Sequence, residues 1–188
     1  MEYMGDAIWW DERFKSRENE LMPPETKLKS DLNYFAECNR ILDLACGDGR
    51  NAIYLAKLGH EVYAVDFSEE GLNRLKSFAR LERLVIKTKQ VDLTSKDKVA
   101  KLEVKADAVI MNHYRMAKEI YPVLTAWIKD GGILWVNGFA DMPEDNPNIR
   151  ERDILQDSDF ELLKQCILLD KEKYEIGKRK FVRYVWKK

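Results

Sequence analysis

Apolar and polar positions divide the 188-residue chain into two regimes. Residues Ala7–Ala36 read as two helices separated at Pro23 and Pro24, because proline lacks an N–H donor and disfavours helix in the residue before it. From Arg40 onward, short apolar runs alternate with helical spacings. Arg40–Ala45 is an apolar run that closes in a glycine loop. Asn51–Leu58 gathers Ala52, Ile53, Leu55, Ala56 and Leu58 on one helical face, and Gly59 suits its end. Glu61–Val65 predicts a second strand. Ser68 is placed to cap a helix that carries Leu72, Leu75, Phe78 and Ala79.

Further along, Leu84–Ile86, extending toward Val91, predicts a third strand. Ala106–Met111 is almost continuously apolar, as a strand buried on both faces should be. The stripe Ile120, Val123, Leu124, Trp127 and Ile128 predicts a helix in which Pro122 lies in the first turn or makes a kink. Gly131 and Gly132 are expected to close it before a fifth strand at Ile133–Val136. After a polar loop at Asp141–Asn148, Asp157 or Ser158 is placed to cap a helix running to about Gln165. Ile167–Leu169, Tyr174–Ile176 and Phe181–Trp186 read as strands, with a turn at Gly177 and Lys178.

Strand–helix alternation implies right-handed crossovers and a mostly parallel sheet covered by helices on both faces. The last strands lack a helix between them, so the sheet ends antiparallel. Such sheets bind ligands outside the carboxyl ends of their strands. Those ends are Asp43–Gly49, Asp66 with Phe67, Asp92 with Leu93, Asn112 with His113, and Asn137–Phe139. The length fits one domain, with residues 1–38 as an N-terminal helical cap and 39–188 as the core.

Composition narrows the function classes. Hydrophobic residues make up 45% and charged residues 35%, which describes a globular protein. The formal net charge of −1 lacks the basic excess of a dedicated nucleic-acid binder. No apolar run reaches the roughly 18–20 residues that span a bilayer, and Met1–Arg17 is charged and aromatic, unlike a signal peptide. The three cysteines Cys38, Cys46 and Cys166 are widely spaced, so neither a disulfide framework nor a metal pair is expected, and a cytoplasmic location is. Monomer and homodimer both remain open.

The strongest chemical signal is Asp43–Asn51, with Gly47 and Gly49 between a strand and a helix. Its glycines let the backbone approach a ligand, and the helix start offers free N–H groups. Asp66, 17 residues after Gly49, suits two ribose hydroxyls. Phe67 suits an adenine face, and Asp92 its amino group. The spacing Gly47-x-Gly49-x-x-Ala52 also matches the dinucleotide fingerprint, so an NAD-binding protein is an alternative. Asp43 argues against it, because a carboxylate at that strand end repels a pyrophosphate and attracts an ammonium. The little chain left for a separate substrate domain argues the same way.

The run Ile41–Arg50, the acid in Val65–Phe67, the Val91–Leu93 step and the Lys129–Leu134 turn resemble the class I S-adenosylmethionine-dependent methyltransferases. Trp9–Phe14 is similar to the W-D-x-R-[FY] entry of small tellurite- and thiopurine-type members. The resemblance implies a Rossmann-like three-layer α-β-α sandwich, a seven-stranded sheet in the order 3-2-1-4-5-7-6, and S-adenosylmethionine as methyl donor. It implies that Asp43, Ala45, Cys46, Gly47 and Gly49 line the methionine part and that Asp66 holds the ribose. It further implies Phe67, Asp92 and Leu93 at the adenine, Asn112 near the sulfonium, and Trp10 with Arg13 closing the site.

The expected acceptor is a small molecule, touched by residues among Trp9, Trp10, Tyr114, Arg115, Phe139 and Arg150. His113 and Tyr114 are the candidates to position it or take its proton. A bland loop role is the alternative for His113, and a turn role for His60. The basic cluster Lys178, Arg179, Lys180, Arg183, Lys187 and Lys188 fits RNA phosphates or, more simply, a solvated edge hairpin. An RNA or protein methyltransferase and a non-catalytic donor-binding module are the remaining alternatives.

Overall fold

The computed structural model describes residues 6–188, so the first five residues of the expected N-terminal cap lie outside the described part. Seven strands form one sheet in the order β3-β2-β1-β4-β5-β7-β6. They are β1 Arg40–Leu44, β2 Glu61–Asp66, β3 Lys87–Gln90, β4 Ala106–Asn112, β5 Ile128–Phe139, β6 Ile167–Ile176 and β7 Arg179–Lys187. β1 with β2, β2 with β3, and β4 with β5 run parallel. β5 with β7 and β7 with β6 run antiparallel, as the helix-free ending of the chain requires. Contacts group the described residues into two compact units, 6–93 and Thr94–Lys188. Among these residues no helix is long and apolar enough to cross a membrane.

In the first unit, helix α1 Ala7–Ser16 starts at Asp6, whose side chain accepts from the Trp9 N–H at 2.7 Å. The chain is then non-helical past Pro23 and Pro24, and α2 occupies Thr26–Ser30. Helix α3 Arg50–Lys57 buries Asn51, Ala52, Ile53 and Leu55. Gly59 leaves it at φ 95°. Helix α4 Glu69–Leu81 is capped by Ser68, whose hydroxyl accepts from the Gly71 N–H at 3.0 Å, so the expected cap is the observed one. The third strand begins later than Leu84–Ile86. Arg83 adopts φ 57° and the Leu84 N–H closes back onto the Ala79 carbonyl at 2.8 Å. Residues 84–86 therefore complete the helix exit, and the strand pairs only from Lys87, opposite Tyr63.

In the second unit, short α5 Lys96–Ala100 precedes β4, and α6 Tyr121–Trp127 carries Pro122 in its first turn, one of the two expected placements. Ile128 is not helical. It pairs with Ala106, and the register then jumps so that Ala108 faces Ile133. Gly131 and Gly132 thus form an irregularity inside β5 rather than a helix stop. A Cβ on Gly132 would lie 2.7 Å from the Asp107 carbonyl oxygen, so β4 and β5 run together only with glycine there. The expected helix to Gln165 is reduced to a single 3-10 turn at Asp157–Phe160. Asp157 cannot serve as its cap because Lys171 and the Tyr184 hydroxyl bind its carboxylate. Asp159 takes part instead, accepting from the Gln156 N–H at 2.8 Å. Ile167–Leu169 and Tyr174–Ile176 are one continuous strand, β6.

Candidate functional site

The first unit gathers two carboxylates under a glycine loop. Asp43, near the carboxyl end of β1, is 1% exposed, and its Oδ2 is buried without a hydrogen-bond partner. Burial pushes its pKa up to about 8, and the neighbouring Asp66 carboxylate adds to the rise. Arg50 and the Ala52 backbone N–H oppose it. The Arg50 guanidinium is itself held by Glu25 at 3.0 Å. A dry, unpartnered carboxylate oxygen costs stability, and a cation that reaches it recovers that cost.

Past β1 the backbone turns through three left-handed residues, Ala45 at φ 55°, Gly47 at 55° and Gly49 at 87°. The Cys46 N–H donates to the Val65 carbonyl at 3.1 Å, and the Gly49 N–H to the Cys46 carbonyl at 3.0 Å. A Cβ on Gly49 would stand 2.4 Å from Leu75 Cγ, and one on Gly47 3.1 Å from Phe14 Cζ. The loop therefore presents backbone where side chains would not fit. Burial and the two neighbouring aspartates raise the Cys46 thiol well above its ordinary value, which disfavours the thiolate that a nucleophile needs.

Asp66, ending β2, ties the loop to the next helix. Its Oδ2 accepts from the Gly47 N–H and its Oδ1 from the Ser68 N–H, both at 2.8 Å. Burial raises its pKa, against the lowering effect of the Ser68, Gly47 and Phe67 N–H groups. Phe67 follows at intermediate exposure, and its carbonyl accepts from Gln90 Nε2 at 3.0 Å. Asp92 is partly buried just beyond β3, while Leu93 is buried at 4% exposure.

Helix α1 closes on this loop through Phe14 and Asp11, both inside the Trp9–Phe14 motif, and through Arg17, which nothing in the sequence marks. Phe14 is its one buried side chain, and its ring meets both Gly47 and Gly71. Asp11 accepts from the Ser68 hydroxyl at 2.5 Å and from the Glu70 N–H at 3.1 Å, a second carboxylate at the start of α4. Arg17 pairs with the buried Asp48 at 3.0 Å and covers the Phe14 ring. Trp10 lies against Phe14 with ring centroids 5.6 Å apart, whereas Arg13 is exposed and covers the Trp9 ring. A phenylalanine followed three residues later by an arginine is too common a spacing to mark such a contact in advance.

The second unit offers a different set. Asn137, fully buried, donates from Nδ2 to Asn112 Oδ1 at 3.0 Å and accepts from the Tyr174 hydroxyl at 2.8 Å. His113 is exposed, stands at φ 55°, and donates its backbone N–H to the Asn137 carbonyl at 2.7 Å. Tyr114 is partly buried. Arg115 is a structural tie. Its Nε and Nη2 donate to the two Asp159 oxygens at 2.8 and 2.6 Å, so that guanidinium fork is already occupied. His60 Nδ1 meets the Cys38 carbonyl at 2.7 Å, as a turn role requires. In the basic hairpin, Arg179 pairs with Asp145, Lys180 with Asp141, and Arg183 with Asp170 and Glu172.

A family model described as a methyltransferase domain matches residues 41–132. Together with the strand order, this match supports a class I S-adenosylmethionine-dependent methyltransferase. Within that class it resembles TehB. It is 38% identical over 56 residues to the probable S-adenosyl-L-methionine-dependent methyltransferase TehB of Haemophilus influenzae, a stretch of 30% of this chain and 20% of the relative. The match thus spans only about a fifth of that relative's length.

The crystal structure of Haemophilus influenzae TehB superposes with a TM-score of 0.72 at 21% identity, covering 95% of this chain and 67% of that one. Coclaurine N-methyltransferase, crystallised with N-methylheliamine and S-adenosylhomocysteine, gives 0.68 at 13% identity over 86% of this chain and 72% of its own. The family's donor fits the residues of the first unit. The buried, unpartnered Asp43 oxygen calls for a cation such as an ammonium.

Proposed function

We propose that the chain transfers the methyl group of S-adenosylmethionine to a small-molecule acceptor. The observation that carries the reading is the buried, unpartnered oxygen of Asp43 beneath a loop of left-handed backbone. In this reading Asp43 pairs with the donor's ammonium, while Ala45, Cys46, Gly47 and Gly49 line its amino-acid part. Asp66 accepts from the ribose hydroxyls, and Phe67, Asp92 and Leu93 border the adenine. Residues up to 38 cap the loop through Phe14 and Trp10, with Arg13 beside them. Asn112 is assigned to the sulfonium side, and His113 with Tyr114 to the acceptor and its proton.

The donor supplies a methyl carbon on a positively charged sulfur that leaves as a neutral thioether. The acceptor's lone pair forms the new bond as the carbon–sulfur bond breaks and its electron pair stays on sulfur. The protein's task is alignment and exclusion of water. A small acceptor is supported by the carboxylates matched to the hairpin cations, which weaken the case for an RNA surface. The three cysteines are free thiols, which suits the cytoplasm.

Calorimetry with S-adenosylhomocysteine and NAD, each titrated into the full chain, tests the reading. S-adenosylhomocysteine is expected to bind and NAD to give no heat. Binding of NAD alone would overturn it.

A further inference from the structure

The carboxyl ends of β4 and β5 carry an aromatic group that methyl transfer as such does not need. The His113 ring lies 5.1 Å from Phe139 and 5.5 Å from Phe181, centroid to centroid. Those two phenylalanines are 5.1 Å apart, and Tyr174 stacks on Phe181 at 5.4 Å. Phe139 and Phe181 are buried with Ile154, and Ile149 packs against them. His113 alone of the four rings belongs to an exposed residue.

Two features fix the backbone that carries this imidazole. Its backbone sits in the left-handed region that non-glycine residues seldom adopt, fixed by the 2.7 Å bond to the Asn137 carbonyl. Such an outlier persists where the surroundings over-determine it, and it concentrates at functional positions. Beneath it, the Tyr174 hydroxyl, the buried Asn137 amide and the Asn112 amide form one hydrogen-bonded line. Arg115, near His113 in sequence, and Arg179 and Lys180, just before Phe181, each bind a carboxylate. The exposed His113 ring is therefore backed by buried aromatic rings, and these neighbouring cations are already paired, which favours a flat uncharged molecule over an oxyanion.

Resting on the proposed methyl transfer, we infer that His113 and the rings behind it form a platform for a neutral aromatic acceptor: a phenol, an aromatic thiol or an N–H heterocycle. His113 is then a specificity-determining residue. The acceptor's oxygen, sulfur or nitrogen takes the methyl carbon, the carbon–sulfur bond of the donor breaks, and the acceptor's proton passes to the imidazole.

The chain has two histidines, so its imidazole signals are readily assigned by NMR. The probe is 2-naphthol, added to the full chain with and without S-adenosylhomocysteine, with selenite as the anionic comparison. We expect 2-naphthol to move the His113 ring signal and leave that of His60 in place, and selenite to move neither. His113→Asn keeps a residue tolerant of the left-handed backbone but removes the ring. It should weaken 2-naphthol binding about tenfold, the upper range for one aromatic contact. His113→Phe should bind 2-naphthol within about twofold of the parent chain, and both variants should bind S-adenosylhomocysteine unchanged. An unmoved His113 signal, a response to selenite alone, or equal losses in the two variants would each overturn the platform. Failure of the parent chain to bind S-adenosylhomocysteine would overturn the methyl-transfer reading instead, while 2-naphthol would still report on the platform.

Discussion

In the proposed reading, the glycine loop of the first unit and the strand ends of the second recognise their ligands in opposite ways. Around Asp43, Gly47 and Asp66 the lining is backbone, and the side chains are acids drawn into dry surroundings with raised pKa values. At the second region an exposed His113 ring rests on the buried rings of Phe139 and Phe181, with Tyr174 stacked behind them. A backbone site constrains sequence tightly, because only certain residues allow the turn. A side-chain site tolerates many solutions. The first is suited to one invariant ligand, and the second to an acceptor that can differ from one protein to the next.

The most forceful way to break the first region is through its backbone. Gly49→Ala places a methyl 2.4 Å from Leu75 Cγ, in a fully buried leucine, at φ 87°. Left-handed strain and overpacking together should cost about 2–4 kcal/mol. Urea unfolding should show a lower midpoint at unchanged m-value. Gly59→Ala, at φ 95° with nothing within 4 Å, is the control, since it carries the strain without the clash. Equal losses for the two would mean that the loop is not tightly packed on α4.

That contrast also explains what was legible beforehand. Asp43, Gly47, Gly49, Asp66 and the Ser68 cap stand out in the sequence because each is dictated by a local backbone demand. Arg17 does not, since its partner Asp48 lies far along the chain, and the motif that holds Asp11 and Phe14 does not tell that they meet Ser68 and Gly47. The aromatic group is legible only in part: His113 and Phe139 are acceptor candidates by their place at strand ends, whereas Tyr174 and Phe181 look like ordinary strand residues until the antiparallel register brings Phe139 opposite Phe181 and Phe181 opposite Tyr174. The start of the third strand is hard to read from the sequence because Lys87–Gln90 is an edge strand with mostly exposed residues and no apolar alternation to mark it. Ile128 fits the helical stripe by spacing, yet pairing with Ala106 outweighs one more helical residue.

Two carboxylate substitutions come next in size. Asp43→Asn should lower affinity for S-adenosylhomocysteine by roughly tenfold to a hundredfold, from loss of a charge-assisted bond. The raised pKa adds a signature. Folded Asp43 holds its proton up to about 8, whereas the unfolded carboxyl releases it near 3.8. Between these values the folded state binds more protons, so this group makes stability fall as pH rises. Asp43→Asn should therefore melt higher than the parent chain at pH 8, with the gain shrinking toward pH 4. The ammonium of the ligand favours the ionised carboxyl, so parent affinity should climb as pH rises through this window. A pH-independent affinity would remove Asp43 from the site. Asp66→Ala should weaken the same ligand by about 1–3 kcal/mol in calorimetry, and an unchanged affinity would remove Asp66.

The gentlest test falls on the second region and asks whether the two are energetically separate. Tyr174→Phe deletes the hydroxyl that donates to Asn137 Oδ1 at 2.8 Å, while the ring that stacks on Phe181 remains. Asn137 is fully buried, so its oxygen loses a partner that water cannot easily replace. The expected cost is about 1 kcal/mol, at the lower end for an unsatisfied buried acceptor, or about 2–4 °C in melting temperature for a chain of this size. Because the lost bond holds the Asn137 amide that orients Asn112, the change should reach the β4 end without disturbing Asp43 or Asp66. Calorimetry should then give the parent affinity for S-adenosylhomocysteine. A large loss of that affinity would mean that the amide line beneath His113 serves the donor, and the division of labour between backbone site and aromatic site would have to be redrawn.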